Sequence, residues 1–146
     1  MIQYRYTSFV KGGTYMKTNP VVHFEMPYKD AKRVSQFYQS AFGWGMVDAG
    51  PNMGGYVLAH TAETDEKGMI KTSGTINGGF YQLEMAKESK EPSVVVSVEN
   101  IEESMKKVTA AGGTLLGKPT DIPGVGKFVS FRDTEGNRAS MLQPSR

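Results

Sequence analysis

The feature that most constrains this chain is a pattern that occurs twice. Residues 21–26 read with period two as a strand that places Val22, Phe24 and Met26 on one face and Val21, His23 and Glu25 on the other. Asp30 then stands where an N-cap belongs. The run after it sets Val34, Phe37, Tyr38, Ala41 and Phe42 along one side, and Gly43 supplies a stop. Seventy positions on, residues 93–98 repeat the strand and Asn100 with Glu103 repeats the cap. Ile101, Met105, Val108 and Ala111 repeat the stripe, and Gly112-Gly113 repeat the stop. An ungapped recurrence of strand, cap, helix and stop predicts two copies of one structural unit.

The intervening stretches complete each copy. Residues 44–47 and 55–60 read as strands around a turn-rich segment, and 61–71 as a polar surface loop. A further strand falls within 74–84, where Gly78-Gly79 mark a bulge or a close backbone approach. Residues 86–92 have linker composition. In the second copy, 114–118 read as a strand, 119–126 as a loop and 127–132 as a strand. The segment 133–137 has hairpin chemistry, with 138–143 as the return strand. Each half reads β-α-β-β-β. The predicted fold class is therefore α+β, two βαβββ modules forming a curved mixed sheet around a cavity, with the helices on its convex face. One domain is expected over 16–146, with module one at about 20–85 and module two at about 92–144. Residues 1–15 are expected to be a loosely ordered extension.

Composition narrows the function classes. There is no cysteine, which excludes disulfides and thiolate metal sites and fits a cytoplasmic location. Seventeen basic and fifteen acidic residues are interspersed at a net charge of +2, so nucleic acid is not an expected partner. Apolar runs are only a few residues long, so no membrane segment is expected. Residues 112–118 match the start of a phosphate-binding loop, but Pro119 stands where a magnesium-holding Ser or Thr belongs, and the segment leaves a helix instead of entering one.

Four motifs then make the chain recognisable: Val22-His23-Phe24; Phe37-Tyr38 followed by Phe42-Gly43-Trp44; Asp121-Ile122-Pro123-Gly124-Val125-Gly126; and Arg132-Asp133-Thr134-Glu135-Gly136-Asn137. Together they resemble the vicinal-oxygen-chelate superfamily, which includes glyoxalase I, bleomycin-resistance proteins and extradiol dioxygenases. The branch they look most like is the glyoxalase-family-like one. The resemblance implies a divalent ion held by four inner strand positions, two per module. His23 matches the first of these, seven residues before Asp30. Ser93 and Ser140 stand where the pattern has His and Glu, and residues 75–80 contain no His, Asp or Glu. Zinc takes three or four strong donors, and a serine hydroxyl is a poor one, so no cofactor is expected and a divalent metal is disfavoured.

Two functional readings that involve a small molecule stay open at this point, beside a third, an interaction module with no small ligand. One is a small-molecule-binding protein of the glyoxalase/bleomycin-resistance type that has largely lost its metal site. Its pocket, on the order of 300–1,000 Å³, would be formed by His23, Glu25, Ser93, Ser140, Trp44 and Tyr56. The alternative is a lyase, isomerase or dioxygenase with a rearranged metal site, or with His23 and Glu25 as catalytic residues in proton transfer. His60 and Glu84 are read as exposed, and Arg132 as a partner of the turn carboxylates Asp133 or Glu135. Open sheet edges in each module predict a homodimer.

Overall fold

β1 (Val21–Tyr28) lies near the middle of a nine-stranded, curved, open mixed sheet, hydrogen-bonded on both sides. The computed structural model describes residues 18–85 and 90–145. The expected extension at 1–15, and residues 86–89 of the expected linker, lie outside the described residues.

In chain order β1 is followed by α1 (Ala31–Phe42), β2 (Gly45–Asp48), β3 (Val57–His60) and β4 (Asn77–Gln82). The second half contributes β5 (Ser93–Ser97), α2 (Ile101–Ala110), β6 (Thr114–Leu115), β7 (Thr120–Ile122), β8 (Gly126–Arg132) and β9 (Arg138–Pro144). The sheet order is β2-β3-β4-β1-β5-β9-β8-β6, with β7 paired to β8. β1 runs parallel to β4, as β5 does to β9, and the halves meet where β1 runs antiparallel to β5. The second half thus retraces the first about a pseudo-twofold axis through that seam.

The repeated caps form as their residue types dictate. Asp30 accepts a hydrogen bond from the Arg33 amide at 2.8 Å, and Asn100 accepts one from the Glu103 amide at 3.0 Å. Gly43 ends α1 in the left-handed conformation at φ 68°, which glycine adopts without a Cβ clash. α2 stops earlier in the repeat. Its cap is Ala111 and the left-handed residue is Gly112, so Gly113, the counterpart of Gly43 by position, lies beyond the helix.

Each helix covers one half of the sheet's convex face over its own cluster. Under α1 lie Tyr28, Val57, Ala59 and Phe80, and under α2 lie Val98, Ile101, Val129 and Met141. α1 docks less deeply than its apolar stripe predicts. Ala31, Val34 and Tyr38 pack inward, but Phe37 and Phe42 remain 57% and 63% exposed, because the contact stripe is narrower than the run of apolar residues.

One segment departs from the expected arrangement. Residues 119–126 contain a strand, β7, whose Thr120, Asp121 and Ile122 pair antiparallel with Phe128, Lys127 and Gly126. The two prolines and two glycines of that stretch suggested a loop. Pro119, Pro123 and Gly124 flank the three strand residues, where a missing N–H or a left-handed turn does not interrupt the ladder, and Gly126 begins β8. Among the described residues no helix is long and apolar enough to cross a membrane.

Candidate functional site

Cross-strand partners project to the same side of a sheet, so the register defines the concave face. His23 and Glu25 of β1 stand opposite Asn77 and Gly79 of β4, and opposite Val95 and Ser93 of β5. Val95 in turn faces Ser140 of β9, which faces Ser130 of β8. Two residues before Ser140 on the same strand is Arg138. His23, Glu25, Ser93, Ser130, Arg138 and Ser140 therefore share the inner surface across four strands.

Tyr56, just before β3, closes a hydrogen-bonded chain on this face. His23 Nε2 lies 2.9 Å from the Tyr56 hydroxyl, and that hydroxyl donates to Glu25 Oε1 at 3.3 Å. A phenol has one proton. With it directed to Glu25, His23 Nε2 is the protonated ring nitrogen and donates to the phenol. The ring of Tyr56 has room because position 79 is glycine: a Cβ built there would fall inside the ring. Gly78 does the same for the Phe24 ring on the convex face. The Gly78-Gly79 pair is thus a close approach of two aromatic rings from opposite sides of one strand, within a regular ladder.

Burial sets the charge states here. It pushes the His23 imidazole below its ordinary value, favouring the neutral ring. It also pushes the Glu25 carboxyl up, against the opposing pulls of the Arg138 charge and the Tyr56 hydrogen bond. The Tyr56 phenol is pushed up by its own burial and by the Glu25 charge and hydrogen bond, so it acts as a donor and not as a phenolate.

Arg138 is the residue that the sequence reading passed over. Its Nη1 approaches Ser93 Oγ at 3.5 Å, its Nη2 donates to Ser130 Oγ at 3.2 Å, and its Cζ lies 5.8 Å from the centre of the Tyr81 ring. Nε is buried and has no hydrogen-bond partner. The signal was available in period two, since Arg138 and Ser140 alternate onto one face of the return strand. Arg132, expected to pair with Asp133 or Glu135, donates its Nη1 to the Gly136 carbonyl across the hairpin.

The remaining expected site residues divide. Ser93 is 7% exposed and near Arg138, whereas Ser140 is completely buried and bonds Ser130 at 2.9 Å, which places it beneath the surface that a ligand would meet. Trp44 is not on this face. It stacks on Tyr38 at 4.5 Å between ring centres and packs with Phe24, because it follows Gly43 directly out of α1 and stays on the helix side. A cavity of about 320 Å³ is lined by Phe24, Glu25, Met26, Trp44, Pro92, Ser93 and Val94. Another, of about 350 Å³, lies beside the start of α1. The first of them brings together Glu25, Ser93 and Trp44, three of the six residues expected to form a pocket.

The register also locates the four positions that the resemblance assigns to a metal. Gly79 pairs with Glu25 as Ser140 pairs with Val95, and Glu25 and Val95 are equivalent in the repeat, so Gly79 is the counterpart of Ser140. The set becomes His23, Gly79, Ser93 and Ser140: one imidazole, two hydroxyls and no side chain. Among the described residues no three His, Asp or Glu side chains come together.

A family model described as Glyoxalase/Bleomycin resistance protein/Dioxygenase superfamily matches residues 21–141. The chain belongs to that superfamily. Curated relatives from Mycobacterium bovis and Mycobacterium tuberculosis, each named "Putative glyoxylase CFP32", are 30% identical over 77 residues, which is 53% of this chain and 30% of the relative. The match thus spans less than a third of those relatives' length. Solved structures share the superfamily fold at low identity. A variant of Streptomyces coelicolor methylmalonyl-CoA epimerase in complex with 2-nitronate-propionyl-CoA superposes with a TM-score of 0.65 at 10% identity, covering 89% of this chain and 100% of that one. The hypothetical protein BH1468 from Bacillus halodurans gives 0.63 at 14%, covering 89% and 97%.

Proposed function

We propose that this superfamily member binds a small organic molecule on its concave face without a divalent metal. The observation that carries this reading is the guanidinium of Arg138, within hydrogen-bonding reach of Ser93, itself one of the four metal positions. A fixed positive charge there opposes a second cation, and two hydroxyls with one imidazole are too few strong donors to overcome it. The residues present do not fit the ion that the superfamily pattern implies. A variant of the S. coelicolor epimerase, which has this fold, was solved in complex with 2-nitronate-propionyl-CoA, and this supports the reading. A cytoplasmic location and a homodimer belong to the same proposal.

Elemental analysis and thermal-shift titration test it together. The purified protein is expected to carry no stoichiometric zinc, nickel, iron or manganese, to gain no stability from them, and to be stabilised by an organic compound whose effect His23→Ala weakens. Stoichiometric metal that leaves with a chelator and takes the ligand response with it would overturn the reading.

One observation favours a second reading, metal-free proton transfer. Glu25 is a buried carboxylate whose pKa burial pushes up, tied through Tyr56 to His23, which is an arrangement suited to a general base. Exchange of a substrate C–H with deuterated water, lost in Glu25→Gln and retained after chelation, is its expected signature. Exchange at an unchanged rate in Glu25→Gln rules it out.

A further inference from the structure

We infer that the ligand of the concave face is a monoanion with a planar, two-oxygen head, a carboxylate, received by Arg138 together with the Ser93 and Ser130 hydroxyls. This rests on the small-molecule reading and names the chemical class that the face selects.

The first argument is a donor surplus. A guanidinium carries five N–H donors in a plane, yet Arg138 meets two hydroxyl acceptors, at 3.5 and 3.2 Å, and its Nε–H meets none. Both acceptors are neutral. Nη1 and Nη2 approach hydroxyls on β5 and β8, the strands on either side of β9. Two parallel N–H groups match the two oxygens of a carboxylate, and charge-assisted bonds of that kind are shorter and stronger than those to a hydroxyl. The Tyr81 ring, 5.8 Å from Cζ, holds the guanidinium in place.

The second argument is the sign of the surroundings. Glu25 feels the Arg138 charge on the same face and offers a carboxylate of its own. A monoanion balances the Arg138 charge, whereas a dianion such as phosphate would bring a further, uncompensated charge onto a face where Glu25 already disfavours one. Ser93 and Ser130 can turn their hydroxyl protons toward an incoming oxygen, so they serve as donors to an anion as readily as acceptors from Arg138. The far end of the molecule would lie toward Tyr56 and His23, whose hydroxyl and Nε2 already hydrogen-bond each other across β4.

The test is an NMR titration of the full chain with sodium propionate, sodium benzoate, propionamide and inorganic phosphate. The two carboxylates are expected to shift the Arg138 side-chain and Ser93 and Ser130 amide resonances saturably, with phosphate at least tenfold weaker and propionamide without effect there. Arg138→Gln should weaken benzoate at least tenfold, and Arg138→Lys, which keeps charge but loses the fork, should give an intermediate loss. Equal shifts from propionamide and propionate, tighter binding of phosphate, or no saturable shift at these residues would overturn the inference. If Arg138→Gln does not fold, the amide against carboxylate comparison on the unaltered protein still decides. A neutral compound that binds at His23 and Tyr56 and ignores Arg138 would defeat this inference while leaving the small-molecule reading intact. Stoichiometric metal alongside carboxylate binding would do the reverse.

Discussion

Gly79→Ala is the sharpest probe of how the inner face is built. The added methyl would enter the Tyr56 ring, so the ring must move or the strand must bend. Overpacking of this kind costs about 1–3 kcal/mol, while replacing glycine by alanine at a negative φ returns about 0.4–1 kcal/mol through the unfolded chain. The net loss should be about 1–2 kcal/mol, or about 3–8 °C in Tm for a chain of this size. Denaturant melts of the single variants and of Gly79→Ala/Tyr56→Ala complete a cycle in which the smaller side chain makes room for the methyl. The double variant should be more stable than the sum of the singles predicts, by about 1–3 kcal/mol. Additivity within about 0.5 kcal/mol would mean that the glycine is not there for the ring, and the account of Gly79 would fall.

Further outcomes follow from the same contacts. Tyr56→Phe removes the hydroxyl between two buried partners and should cost about 1–3 kcal/mol in a urea melt; a loss below about 0.5 kcal/mol would mean that the link is not formed in solution. It should also raise the Glu25 pKa further, because the hydrogen bond that opposes burial is gone, and carbon-detected NMR of the carboxyl reads this directly. Since folding lowers the His23 pKa, the unfolded chain binds the extra proton as pH falls below the ordinary value of 6.5, so stability drops on acidification through the lowered pKa. Glu25 acts in the opposite direction. Its raised pKa gives a contribution that is complete below the ordinary value of 4.5 and is lost as pH rises through the shifted one. Melts from pH 4 to pH 8 should show the first effect vanish in His23→Asn and the second in Glu25→Gln. Trp44, the single tryptophan, lies on the helix side, so its emission maximum should not move when a carboxylate binds the concave face.

Much of the fold was legible because it is local and repeated. Strand alternation, the Asp30 and Asn100 caps and the Gly43 stop are decided by residues within one turn of each other, and the structure has them where the sequence puts them. β7 was not legible, because three residues carry too short an alternation to outweigh the flanking prolines and only pairing with β8 makes them a strand. The site divides in the same way. His23 and Glu25 follow from one strand's period. The roles of Tyr56 and Gly79 depend on contacts between β1, β4 and the start of β3, which no window of sequence contains. Trp44 is expected in the pocket by residue type, yet its face is set by the exit from α1. Arg138 shared a face with Ser140 in plain view, but its significance comes from Ser93 and Ser130 on two other strands.

The pseudo-twofold seam between β1 and β5 has a consequence for orientation. Two identical halves would form a cradle that accepts an unsymmetrical molecule equally well either way round. Here the halves have parted company. The first supplies the imidazole, the carboxyl and the phenol, while the second supplies the cation and the hydroxyls. Turning a bound molecule end for end would set its acidic head against Glu25 and its tail against Arg138. The backbone symmetry therefore leaves two poses geometrically alike, and the side chains make them chemically unequal, so that a guest with one charged end has a single way to lie.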